Sequence, residues 1–122
     1  MQTKFETISG KFVPNPEALA DDALELVAAR FKALSEPTRL RLLAALKGGE
    51  RNVTELVEFT GTSQANISRQ LLVLTQAGIL GRRKSGLHTF YFVADKAIYD
   101  LCELVCGSVQ DRLARQNRAF GK

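Results

Sequence analysis

Apolar residues recur with a helical period in five stretches of the chain, and the pattern switches once, near residue 79, to a β-like one. From Pro16 to Leu34 the apolar positions are Leu19, Ala20, Leu24, Val27, Ala28, Phe31 and Leu34, which predicts an amphipathic helix. Ser35-Glu36-Pro37-Thr38 reads as a fresh start: Ser35 is a suitable cap, and Pro37 fits a first turn where its missing N–H costs nothing. Leu40, Leu42, Leu43 and Leu46 continue that helix, and Gly48-Gly49 ends it. Asn52-Val53-Thr54-Glu55 has the spacing of a capping box and opens a short helix whose inner side is Val53, Leu56, Val57 and Phe59. It ends at Thr60-Gly61. A fourth helix starts at Thr62 or Ser63, carries Ile67, Leu71 and Leu74 on one face, and stops at Ala77-Gly78.

Beyond this point, Ile79–Arg83 and Leu87–Val93 are rich in β-formers and flank Lys84-Ser85-Gly86, which predicts a hairpin. Asp95 can cap a last helix through about Arg115, with Ile98, Leu101, Cys102, Val105, Cys106, Val109 and Leu113 in one stripe. Residues 1–14 follow neither period and contain Gly10 and Pro14, so they read as a flexible arm. The expected organisation is this arm, a single domain over residues 15–116, and a tail over residues 117–122. A helix, a tight turn, a second helix and a basic hairpin together describe a winged helix-turn-helix. The fold class is mainly α with a small hairpin (α+β), with about five helices and a two-stranded wing.

Composition narrows the function classes. A chain of 122 residues that is 45% apolar suits one domain with its own core and excludes disorder as a whole. No apolar run reaches the roughly 20 residues of a membrane helix, and Met1–Glu6 has no apolar signal region, so no membrane partner is expected. With only two cysteines, the expected location is the reducing cytoplasm. No Gly-rich phosphate loop is present. The only histidine, His88, falls on the hairpin, away from any Ser or Cys nucleophile, so no enzyme is expected.

The net charge of +4 is modest, but it is not spread evenly. Residues 63–94 hold Arg69, Arg82, Arg83 and Lys84 and no Asp or Glu, while the remaining 13 basic residues match the 13 acidic ones. A basic segment free of acidic neighbours is the footprint of a polyanion partner. That segment is the second helix of the pair plus the hairpin. Opposite Ile67, Leu71 and Leu74 the helix offers Ser63, Gln64, Asn66, Ser68, Arg69 and Gln70, donors and acceptors that suit base edges in a major groove. Arg82, Arg83 and Lys84 can reach backbone phosphate or a minor groove, and His88 is a further phosphate contact or plain surface. Double-stranded DNA is therefore the expected partner. The competing reading, a winged-helix module that binds protein, leaves these cations without a purpose.

At this point the chain resembles the ArsR/SmtB family of bacterial repressors. Residues 31–43, Phe-Lys-Ala-Leu-Ser-Glu-Pro-Thr-Arg-Leu-Arg-Leu-Leu, are similar to that family's second-helix signature. Residues 62–80 are similar to its recognition helix, and Thr89-Phe90-Tyr91-Phe92-Val93 to its wing. The resemblance runs over roughly residues 20–95, with three motifs in order. It departs at Gln70, where the family usually has His, which bears on base preference. What it implies is a homodimer joined through the first and last helices, binding a palindromic promoter site as a sequence-specific repressor. The long apolar stripe of the last helix independently asks for a partner.

Many members of that family release DNA on binding a metal or metalloid, and here the best-known sites are incomplete. Asn52–Gly61 contains no Cys or His. On the last helix Asp100 and Cys102 stand at the first pair of places, but Leu113 and Gln116 at the second, which are poor zinc ligands. Cys102 and Cys106 remain, one helical turn apart. As a metal site they would take trivalent arsenic or antimony with a third ligand, or respond to redox modification. As small apolar side chains on the stripe they would simply pack. A regulator that binds DNA without any ligand is the remaining reading.

Overall fold

The computed structural model describes residues 6–8, 11–13 and 19–120. The first long helix, α1 (Asp21–Ala33), starts with Asp21 and Asp22 and ends with Arg30 and Lys32, charges that oppose its dipole at both ends. It begins later than the period suggested, and residues 14–18 lie outside the described residues. α2 (Pro37–Ala45) has Pro37 in its first turn, so the cap falls on Glu36, whose carboxylate accepts the Arg39 N–H at 3.1 Å. Ser35, the expected cap, instead donates its hydroxyl to the Lys32 carbonyl at 2.7 Å and closes α1.

The strand β3 (Arg51–Asn52) leads straight into α3 (Val53–Thr60). The capping box forms as expected: the Asn52 side chain accepts the Glu55 N–H, and Glu55 accepts the Asn52 N–H, both at 2.9 Å. Gly61 ends α3 at φ 75°, a left-handed position that a side chain would strain. Two residues later Ser63 caps α4 (Gln64–Gln76), its hydroxyl accepting the Asn66 N–H at 3.1 Å.

The strands β4 (Leu80–Ser85) and β5 (His88–Val93) pair antiparallel from Leu80 opposite Val93 to Ser85 opposite His88. The turn is therefore Gly86-Leu87, with Gly86 at φ 62°, and Lys84 and Ser85 belong to the strand rather than to the turn where the sequence placed them. The expected two-stranded wing forms, and β3 joins it to make a three-stranded sheet in the order β3-β5-β4, with Arg51 opposite Tyr91 and Asn52 opposite Phe90. Within the segment read as an arm, the strands β1 (Glu6–Ile8) and β2 (Lys11–Val13) pair antiparallel, a hairpin that the chain's periodicity does not announce. The rest of residues 1–14 lies outside the described residues.

The last helix, α5 (Ala97–Ala119), outruns its expected end near Arg115, so the expected domain limit at residue 116 falls inside it. Its cap position is Lys96, and Asp95, one residue earlier than a cap, accepts the Ala97 N–H at 3.1 Å.

All the buried residues among those described are apolar. Leu42 and Leu43 of α2, Leu56 of α3, Ile67, Leu71 and Leu74 of α4, and Ile79 form the centre. Leu80, Val93 and Ile98 close it from the sheet and α5. Of the expected inner side of α3, Leu56 is buried and Val53 and Val57 half-buried. Phe59 lies outside under the Arg51 guanidinium, 5.7 Å from its ring centre. The stripe on α5 divides. Ile98 is buried and Leu101 and Cys102 half-buried, but Val105, Val109 and Leu113 are each more than half exposed. Leu24, Val27 and Phe31 of α1 are exposed as well. An Arg30–Asp95 ion pair ties α1 to the start of α5, and the Tyr99 hydroxyl donates to the Leu43 carbonyl at 2.8 Å.

Candidate nucleic-acid interface

The three apolar residues Ile67, Leu71 and Leu74 fix which face of α4 turns inward, and this leaves Gln64, Ser68 and Arg69 on its exposed side. Ser63 stays exposed, but its hydroxyl accepts the Asn66 N–H as the helix cap. Asn66 and Gln70 are half-buried and engaged with neighbours. Asn66 donates from Nδ2 to Thr62 Oγ1, and its Oδ1 accepts from Arg69 Nη2 and Gln70 Nε2, all at 3.1 Å. Gln70 Oε1 accepts from Arg39 Nη1 at 2.6 Å. Of the six residues expected to face bases, Gln64, Ser68 and Arg69 present exposed polar surface, while Asn66 and Gln70 are half-buried and bonded to one another beside Arg69.

On the wing, strand alternation puts Arg82 and Lys84 on the same side as Leu80, opposite Tyr91 and Thr89. Arg82, Arg83, Lys84 and Thr89 line a shallow basic depression. Arg83 points to the other side, opposite Phe90, with its guanidinium 5.2 Å from that ring centre. There it meets Glu50, which receives hydrogen bonds from both Arg83 Nε and Nη2. The hydrogen bond to Arg83 holds the Glu50 carboxyl below its ordinary range, and the same contact raises the Arg83 pKa. The acid-free segment is thus acid-free in sequence only: Glu50 arrives from outside residues 63–94 and neutralises one of its four cations. His88 is exposed at the wing tip, its ring 6.2 Å from that of Phe90. Gly81 makes the wing possible at close quarters, since a Cβ there would stand 2.6 Å from the Phe92 ring.

Two residues that contact the candidate interface carry no signal in the sequence. Glu50 lacks any signal, because its partner lies 33 residues away. Arg39 lies in the quoted second-helix motif, yet nothing in the spacing says that its side chain reaches α4.

The family model of bacterial regulatory proteins of the arsR family matches residues 36–81. The chain is 31% identical over 96 residues to the transcriptional repressor SmtB homolog of a Synechocystis species, covering 79% of this chain and 73% of that protein. This chain belongs to the ArsR family. It is also 40% identical over 74 residues to the "Probable mercury resistance operon repressor" of Streptomyces lividans, covering 61% of this chain and 59% of that one. Among solved structures it is similar to the homodimeric winged helix-turn-helix DNA-binding domain of Mb0332 from Mycobacterium bovis. The TM-score is 0.70 at 29% identity, over 80% of this chain and 94% of that domain. This ArsR-family chain is accordingly a DNA-binding transcriptional regulator on a winged helix-turn-helix fold and not an enzyme.

Away from α4, the structure puts Cys102 half-buried and Cys106 exposed on α5. Both line an apolar groove with Phe31, Leu34, Leu40, Leu101 and Val105. Burial, and then the neighbouring Cys106, push the Cys102 thiol pKa upward. Among the described residues no group of three or more His, Cys, Asp or Glu side chains comes together to hold a metal. No helix among them is long and apolar enough to cross a membrane.

Proposed function

We propose that this ArsR-family chain is a homodimeric repressor, working in the cytoplasm on a palindromic promoter site. Each α4 lies in a major groove and each wing on the flanking backbone or minor groove. The observation that carries this is the exposed row of Gln64, Ser68 and Arg69 on α4, with Arg82 and Lys84 exposed on a strand packed beside it. Arg69 reads guanine through two donors, and Ser63, Gln64 and Ser68 supply further groove or phosphate contacts. The dimer forms through α1 and α5, whose exposed Phe31, Val105, Val109 and Leu113 are left uncovered by the described residues of their own protomer.

Titrating a promoter fragment at several salt concentrations tests the DNA reading: affinity falls steeply as salt rises. Absent or salt-independent binding refutes it in favour of a protein-binding module. Within that experiment Arg69→Ala loses about 1–3 kcal/mol of sequence discrimination, while Lys84→Ala weakens all duplexes alike and lowers the salt slope by about one. Arg83→Ala changes the slope less than Lys84→Ala, because Glu50 already neutralises Arg83.

An inducer acts, in this reading, at Cys102 and Cys106. Support comes from their one-turn spacing in a groove on the dimer-forming face, and from likeness to a mercury-operon repressor. Two thiols fit a soft ion such as trivalent arsenic or antimony, with the third ligand from outside the protomer, or a redox modification. Iodoacetamide should alkylate Cys102 slowly at neutral pH, because burial disfavours its thiolate. Arsenite or peroxide should release DNA from the wild type and not from Cys102→Ser/Cys106→Ser. Equal release from both proteins leaves the cysteines to packing alone, and no release from either makes this a ligand-independent regulator.

A further inference from the structure

Arg39 sits half-buried in α2, with its guanidinium between the end of α1 and the middle of α4. Nε donates to the Ala33 carbonyl at 2.6 Å and Nη1 to Gln70 Oε1 at 2.6 Å, with a longer contact from Nη2 to the Lys32 carbonyl. A guanidinium has only donors to offer. Gln70 must therefore turn its oxygen toward Arg39, which leaves its NH2 facing Asn66. Asn66 must in turn present its oxygen to Gln70, which sends its own NH2 to Thr62 Oγ1. The same Asn66 oxygen accepts from Arg69 Nη2. The two amide orientations are thus set between two donor-only groups, half-buried Arg39 at one end and Arg69 at the other. The row begins on backbone carbonyls of the last turn of α1 and ends on an exposed cation of α4.

We propose that Arg39 is a positioning residue for base discrimination: it orients Gln70 and Asn66, and through them places Arg69, without touching DNA. This rests on the reading of α4 as the DNA-contacting helix. Holding Arg69 beforehand reduces the ordering left to be done on binding, and a fixed guanidinium presents its fork in one direction. Without Arg39 the Gln70 amide is free to flip and to turn its oxygen toward Asn66, which weakens the hold on Arg69, and the exposed arginine then meets phosphate and base edges alike.

The test uses the full chain and two probes: duplexes that the wild type selects from a random-sequence pool, and scrambled duplexes of equal length. Arg39→Met should lower the preference for selected over scrambled duplex by roughly tenfold, while affinity for the scrambled duplex and the salt slope stay put. Arg39→Lys should recover part of the preference, since one ammonium can still donate to Gln70. In a Gln70→Met background, Arg39→Met should add nothing further. Unchanged preference in Arg39→Met, or additive effects in the double variant, overturns the proposal. Should Arg39→Met fail to fold, Gln70→Met keeps Arg39 on the α1 carbonyls and carries the test by NMR. Its Asn66 side-chain amide and Arg69 Nε–H signals should move to those of freely rotating side chains, and unmoved signals overturn the proposal. A wild type that selects no sequence overturns this proposal together with reading by α4. A wild type that selects, with an Arg39→Met variant that selects equally well, removes Arg39 alone.

Discussion

Val109→Asp is expected to convert the dimer to monomers and to weaken operator binding on the order of 100-fold or more. Val109 lies midway along the exposed part of the α5 stripe, one turn from Val105 and from Leu113, and is itself 52% exposed in the single protomer. A carboxylate at that place keeps its water in the monomer, so the fold should change by no more than about 0.5 kcal/mol. In the dimer the same carboxylate would be pressed into an apolar seam without a counter-ion, which is far more costly. Two linked reading heads gain roughly 100- to 10,000-fold over one, and a monomer forfeits that gain. Sedimentation gives the mass, a DNA titration the affinity, and far-UV dichroism the helix content. A Val109→Asp protein that stays dimeric refutes α1 and α5 as the joining face. One that becomes monomeric yet binds DNA as tightly refutes the palindromic reading.

Leu71→Ala should cost about 2–5 kcal/mol of folding stability, from lost transfer energy and the cavity left behind. Leu71 is 1% exposed and belongs to the face of α4 that fixes the helix on the core. For a domain of this size each kcal/mol lowers the melting temperature by about 4 °C. The next residue, Leu72, is 53% exposed, and Leu72→Ala should stay within about 0.5 kcal/mol of the wild type. Thermal melting of the two variants checks the pair. A small loss for Leu71→Ala would mean that α4 is anchored by something other than its buried stripe.

What could be seen in the sequence was local or periodic. Asn52 and Glu55 announce the start of α3 because both partners of the capping box lie within one turn. Ile67, Leu71 and Leu74 announce the inner face of α4 because burial of a helix repeats along the chain. The cap of α2 was misplaced by one residue because Ser35 and Glu36 are both acceptable caps, and Pro37 in the first turn decides between them. The strand β3 is too short to have a period, and its partners Tyr91 and Phe90 are remote in sequence. The pairing of Arg83 with Glu50, and the engagement of Gln70 by Arg39, join side chains more than 30 residues apart. Residue type alone marks such side chains as available. Only packing shows which of them already have a partner.

Asn52 is at once the last residue of β3, paired with Phe90 of the wing, and the cap of α3. One residue thus rivets the wing to the helix pair, and the fused assembly has no joint between them. We expect the recognition helix and the wing of one protomer to move together, as one lever. In that picture a signal that alters the grip on DNA acts where one lever meets the other, through the angle and span between protomers.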